Sequence, residues 1–223
     1  AESGGQIYDT GMIVGPNFKS RVLEVFKAPN GQHIHKVKLL DGIINIGDEC
    51  ELVIDKERRR NIERNHSSVH LLQYALQQVV SNSIHQAGSF VDDEKLRFDF
   101  TYAGKMTDEK LLETEKYVND MINSNHIVST EIMPLDKAKQ LGAMALFNEK
   151  YGETVRVVKI GKSIELCGGT HVANSKDIES FAIYSCESKG SNTYRIEATT
   201  ADKIENALYK VINPYNDETI KLF

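Results

Sequence analysis

The sequence predicts an α+β fold: a small N-terminal β-barrel, then a two-layer α/β core with a mainly antiparallel sheet. Three observations predict it. Over residues 1–55, short apolar runs are punctuated by turn signals such as Gly4-Gly5, Pro16-Asn17, Asn30-Gly31 and Asp41-Gly42, the pattern of small barrels and twisted sheets. Two long stretches, 56–82 and 107–123, then carry helical spacing. The segments between and after them are short and strand-like, and strands mixed with helices in this order indicate an α+β core.

Taken in order, 22–26, 35–40 and 48–54 read as strands, with Asn30-Gly31 as a hairpin turn. The helix over 56–82 places Leu71, Leu72, Ala75, Leu76, Val79 and Val80 on an apolar face. Residues 84–92 and 95–101 read as an antiparallel pair, because Phe98 and Phe100 alternate with polar neighbours. Thr107 is the expected N-cap of the second helix. A strand at 127–132, a short helix at 135–141 ending at Gly142, and strands at 154–160 and 163–166 around Gly161-Lys162 follow. A hairpin of 180–188 with 193–199 precedes a last helix at 201–212, which Pro214 ends. The expected domains are 1–55, 56–213, and a linker starting in 214–223.

Composition narrows the function. Twenty-seven Lys and Arg against 32 Asp and Glu give a net charge of −5 over 223 residues, unlike the basic footprint of an autonomous nucleic-acid binder. Any RNA contact must therefore be local, and Lys56, Arg58, Arg59, Arg60 and Arg64 form the one basic run suited to phosphates. No apolar run approaches the roughly 20 residues that cross a bilayer, so no membrane partner is expected. The polar, acidic start carries no signal peptide and no Met, so a cytoplasmic fragment of a longer protein is expected. Of three cysteines, Cys50 and Cys186 read as buried small hydrophobic residues rather than a disulfide.

The chemistry concentrates in two short motifs. His66-Ser-Ser-Val-His70 places two imidazoles four apart, on one face of a helix. Cys167-Gly-Gly-Thr-His171 offers a thiolate and an imidazole from a glycine-containing turn where a strand ends. Three nitrogens and one sulfur suit tetrahedral Zn²⁺, so His66, His70, Cys167 and His171 are the expected metal ligands.

Residues around these motifs resemble the editing domain of alanyl-tRNA synthetases. The resemblance rests on Asn-His-Ser-Ser-Val-His-Leu-Leu at 65–72, Leu-Arg-Phe-Asp-Phe at 96–100, Gly-Ala-Met-Ala-Leu-Phe at 142–147, Glu-Lys-Tyr-Gly at 149–152 and Leu-Cys-Gly-Gly-Thr-His-Val at 166–172. The opening Ala-Glu-Ser-Gly-Gly-Gln, followed by Asp-Thr-Gly at 9–11, resembles the segment just ahead of that domain. The chain departs from the family where Ser67, Ser68 and Val69 replace the more usual Thr or Ala, and where Tyr194 replaces an arginine. The resemblance implies hydrolysis of tRNA(Ala) esters of serine or glycine while the alanyl ester is spared. It also implies a tRNA(Ala) acceptor end as partner and the rest of an ATP-dependent alanine–tRNA ligase in cis. By motif, it carries the four zinc ligands onto His66, His70, Cys167 and His171. It gives Gln86 a pocket role, bonding a substrate hydroxyl or the attacking water, with Cys167 and Thr170 as further candidate catalytic residues. Gly168 and Gly169 would allow close backbone approach, and Asp99, Glu165 and Arg195 are candidates to support the histidines or to meet phosphate. Met144 and Phe147 are expected to pack. Two other readings remain open: a free-standing trans-editing deacylase, and a zinc-stabilised RNA-binding module without chemistry.

Overall fold

A computed structural model describes residues 4–145 and 151–212. Strands β1 (Gly11–Gly15), β2 (Phe18–Lys27), β3 (His33–Gly42) and β4 (Glu51–Ile54) form an antiparallel sheet in the order β3-β2-β1-β4. The expected turns at Pro16-Asn17 and around Asn30-Gly31 join β1 to β2 and β2 to β3. The expected barrel is not closed, because β3 and β4 end the sheet as unpaired edges. Cys50, just before β4, is exposed, against expectation, and Cys186 is half-buried; neither forms a disulfide. An open sheet has no enclosed interior in which to bury the 48–54 segment.

Helix α1 (Lys56–Val79) starts on Asp55, whose side chain accepts from the Arg58 amide. Its buried Ile62, Val69, Leu71, Leu72, Ala75 and Leu76 form the spine of the main core. One side meets α2 (Asp108–Asn123), which Thr107 caps as expected. Another meets strands β5 (His85–Val91), β6 (Leu96–Thr101) and β11 (Thr193–Thr200). With β10 (Phe181–Gly190), these form the antiparallel sheet β10-β11-β6-β5. Leu96, Phe98 and Phe100 are fully buried while Arg97 and Asp99 are only partly so, the alternation that predicted β6. A third sheet, β7 (Val128–Pro134), β8 (Thr154–Ile160) and β9 (Ser163–Leu166), is antiparallel and touches α1 through β8 and β9. The short helix α3 (Leu135–Gln140) packs on it. A 3₁₀ turn at Ser175–Ile178, not foreseen from the sequence, carries its own capping box on Asn174. Helix α4 (Lys203–Ile212) ends the described chain; Pro214 and the expected linker lie outside the described residues. No described helix is long and apolar enough to cross a membrane.

The basic run at the start of α1 has internal partners. Arg58 donates to the Tyr8 carbonyl and pairs with Asp93, and Arg59 forks onto Asp9. Arg64 is buried, donating to the Asp177 carbonyl and pairing with Glu179, which Arg60 also approaches. Arg58, Arg59 and Arg64 thus fasten the N-terminal segment and the 177–179 turn to α1, and of the run Lys56 and Arg60 remain exposed to solvent.

The N-terminal segment runs beside β5: Ile7 donates to the Val91 carbonyl at 3.0 Å, and Val91 to Gly5 at 2.9 Å. Gly5 sits at φ +80°, and a Cβ there would lie 2.8 Å from the Ser89 carbonyl oxygen, so only glycine passes at this separation. Asn65, fully buried, ties α1 to the sheet by donating to the Asp92 carbonyl and accepting from the Thr200 hydroxyl. Asn65→Ala strands both partners, and its expected cost is about 2–3 kcal/mol of unfolding free energy in a urea melt.

Candidate metal centre

Three segments far apart in sequence converge at the middle of α1. The helix presents His66 and His70 on one face, as their spacing requires. Strand β9 ends at Leu166 and delivers Cys167 into the turn that carries His171. One ligand-type atom from each of His66, His70, Cys167 and His171 falls within 4.8 Å of the others. The His171 ring centroid lies 4.4 Å from that of His66 and 4.6 Å from that of His70. Bonds of about 2.0–2.3 Å in a tetrahedron place ligand atoms about 3.5 Å apart, and Cys167 Sγ already lies 3.3 Å from His66 Nε2.

Hydrogen bonds orient the rings. Gln6 Oε1 accepts from the Thr170 amide at 2.8 Å and from the Thr170 hydroxyl at 3.1 Å. It also meets His66 Nδ1 at 2.7 Å. An amide oxygen only accepts, so Nδ1 carries the proton and Nε2 keeps its lone pair toward Cys167. His171 Nδ1 meets the Ser67 hydroxyl at 3.2 Å, while its buried Nε2 has no hydrogen-bond partner among the described residues. His70 Nδ1 lies 3.6 Å from the Glu165 carboxyl. His66 and His171 thus have a hydrogen-bonding neighbour at Nδ1, the outer support that metal-bound histidines ordinarily have, whereas His70 Nδ1 has a carboxyl nearby but no hydrogen-bond partner among the described residues.

Burial sets the charges. It pushes His66 down to about 4 and His70 and His171 well below the ordinary histidine value, with Arg156 reinforcing each shift. The imidazoles are therefore neutral at physiological pH, the form that binds metal. Burial raises Glu165 to about 8, against a lowering bond from Ser163. The set fits Zn²⁺: three neutral imidazoles, a thiol beside one of them, and two buried ring nitrogens, His70 Nδ1 and His171 Nε2, without a hydrogen-bond partner among the described residues.

The turn is held from both sides. Arg156 Nη1 donates to the carbonyls of Cys167 and Gly169 at 2.8 and 2.7 Å, and the Gly169 amide approaches Cys167 Sγ at 3.5 Å. A Cβ on Gly169 would collide with the His66 ring. Beside the cluster opens a cavity of about 320 Å³, bordered by His66, His70, Cys167 and Gly168 on one side and by Gln86, Ser89, Met144 and Tyr151 elsewhere.

The candidates named from sequence fall into three groups. Gln86 lines this cavity, its amide donating to the Ser89 hydroxyl at 3.1 Å. Thr170 does not line it; its hydroxyl holds Gln6. Glu165 stands beside His70, whereas Asp99 and Arg195 pair with each other across β6 and β11 by two 2.8 Å bonds. Met144, expected to pack, lines the cavity, and Phe147 lies outside the described residues. Sequence reasoning missed Gln6, Gly4, Arg156 and Gln73. Gln6 and Gly4 sit in the opening Gly-Gly-Gln segment, whose residue types carry no ligand or catalytic signature of their own. Gln73 follows His66 by seven and His70 by three on the same helix face, a usable signal. Arg156 sits in an ordinary strand pattern, which gives none.

Comparison with known proteins decides the family. Residues 155–197 match the model for the threonyl and alanyl tRNA synthetase second additional domain, and residues 1–58 match that for class II (A) tRNA synthetases. The chain is 48% identical to an alanine–tRNA ligase of Listeria innocua over 201 residues, which is 90% of this chain. The corresponding figures are 46% for Halalkalibacterium halodurans and 45% for Staphylococcus aureus, over the same 90%. The chain belongs to the alanyl-tRNA synthetase family. It spans 23% of the length of these relatives. The stretch matched by the second-additional-domain model takes in nearly all of β8, and β9 and the Cys167–His171 turn.

Two substitutions test the geometry. Gln6→Ala removes the common acceptor of His66 and Thr170, and zinc affinity is expected to fall about 10–100-fold in a chelator competition. Gly169→Ala should displace the His66 ring and abolish stoichiometric zinc binding, read by metal analysis after gel filtration.

Proposed function

We propose that this chain is the proofreading part of an alanyl-tRNA synthetase, hydrolysing the ester of tRNA(Ala) charged with serine or glycine and sparing the alanyl ester. The observation that carries the reading is the four-donor cluster opening onto a cavity large enough for an aminoacyl end, in a chain that matches alanine–tRNA ligases over 90% of its length.

The chemical need is physical. A pocket that activates alanine discriminates against glycine, one methyl smaller, by only about 1–3 kcal/mol, and an apolar pocket rejects an added hydroxyl no better. A second, hydrolytic site supplies the missing selectivity. His66, His70, Cys167 and His171 would hold Zn²⁺. A bound zinc would supply a fixed positive charge able to polarise or orient an ester. Gln86 can bond the seryl hydroxyl or a water from the cavity wall, with Ser89 orienting its amide. Cys167 is assigned to the ligand set and the cavity edge. Thr170 acts through Gln6 and is a positioning residue. The division at Asp55 separates a small N-terminal domain from the editing unit of 56–213, and Gln6 reaches across that division into the site. The tRNA acceptor end and the rest of the synthetase in cis are the assigned partners.

A second reading has one observation in its favour. Four protein donors make a closed zinc shell, the usual form of a structural site, as in a zinc-stabilised RNA-binding module. The two separate by experiment. Purified zinc-loaded chain, incubated with Ser-, Gly- and Ala-tRNA(Ala), is expected to deacylate the first two and spare the third. Cys167→Ala is expected to keep the cooperative melt and lose deacylation by at least about 10–100-fold. Loss of the fold on Cys167→Ala or on chelation, with no deacylation by the parent chain, favours the structural module.

A further inference from the structure

We propose that Gln73 is a specificity-determining residue of this site, its carboxamide accepting the side-chain hydroxyl of a seryl ester. The proposal rests on the editing reading above and assigns it a residue. Gln73 shares its helix face with His66, Val69 and His70, and all four border the cavity. It is only 5% exposed, yet its Oε1 has no hydrogen-bond partner among the described residues. Its Nε2 points at the Met144 sulfur at 3.3 Å, a weak acceptor. A buried amide oxygen left unpaired is costly, and such groups in native proteins ordinarily have a partner.

Several other polar groups bordering the cavity are engaged. Arg156 holds two carbonyls, Glu165 accepts from Ser163, and Gln86 donates to Ser89. Val69, between the two α1 histidines, offers no hydrogen bond at all. Among the described residues, the buried lining atoms without a hydrogen-bond partner are His70 Nδ1 and Gln73 Oε1; His70 belongs to the ligand set, so Gln73 is the one left to meet a substrate. The ligand it selects must donate. A hydroxyl does so, and because a hydroxyl also accepts, it satisfies the carboxamide in either orientation of its oxygen and nitrogen. The methyl of an alanyl ester cannot, and leaves the amide unpaired. One such bond separates a hydroxylated from an unhydroxylated aminoacyl group by about 5–150-fold. Serine is thereby favoured over glycine as well as over alanine at this position.

The test uses the zinc-loaded chain and its variants Gln73→Leu and the shape-matched Gln73→Met. Single-turnover deacylation is measured on Ser-tRNA(Ala) and Gly-tRNA(Ala), with zinc content and Tm recorded for each protein. The expected result is a fall of about tenfold or more in the seryl-to-glycyl rate ratio in both variants. Full zinc loading and an unchanged or raised Tm should accompany it, because an apolar side chain removes an unpaired buried group. An unchanged ratio with an active parent chain overturns the role of Gln73 alone, whether or not both rates drop. Hydrolysis of neither ester by the parent chain overturns the editing reading and this assignment with it.

Discussion

Three imidazoles and a thiol packed together out of water are a demand that the surrounding chain must meet. Uncharged, each ring still has a donor and an acceptor to satisfy, and charged, each would repel the others and Arg156. The structure meets the second demand in full and the first in part. Burial holds the rings neutral. Gln6 and Ser67 bond the outer nitrogens of His66 and His171 at 2.7 and 3.2 Å, and Glu165 stands 3.6 Å from that of His70, beyond a hydrogen bond. What remains at the centre is a sulfur and nitrogen lone pairs facing each other, and a divalent cation is the partner that satisfies them together.

That demand explains features that otherwise look incidental. The N-terminal segment crosses β5 with a glycine where a side chain would strike Ser89, and so brings Gln6 to His66. The arginines of α1 grip Asp9, the Tyr8 carbonyl and the 177–179 turn, clamping the two flanks of the site to the helix that bears its histidines. Gly169 lacks a side chain because the His66 ring occupies that space. These pieces come from residues 4–9, 56–70 and 165–179, so the site is a product of the whole fold and not of either motif alone.

The sequence made the helices and paired strands readable because their periods differ. Phe98 and Phe100 alternate as a strand must, and the 154–160 and 163–166 strands around Gly161 appear where expected. The ligand motifs were readable because donor type and spacing are themselves chemical statements. Closure of the N-terminal sheet was not readable: turn signals fix hairpins, whereas a barrel needs its edge strands to meet, and β3 and β4 do not. The internal partners of the basic run were not readable for a related reason. Charge along a sequence does not reveal which carboxylates the fold will bring to it, and Asp9, Asp93 and Glu179 are distant in the chain. Gln6 was invisible as a functional residue because its role depends on a contact across 60 positions. Gln73, by contrast, stood in helical register with both histidines and could have been found.

The central claim is that the four side chains form one metal centre. Zinc-edge X-ray absorption on the purified chain tests it most directly. The account predicts about one zinc per chain, with three nitrogen neighbours at about 2.0–2.1 Å and one sulfur at about 2.3 Å. A zinc-free protein under metal-replete conditions, or a shell of oxygens without sulfur, would contradict it.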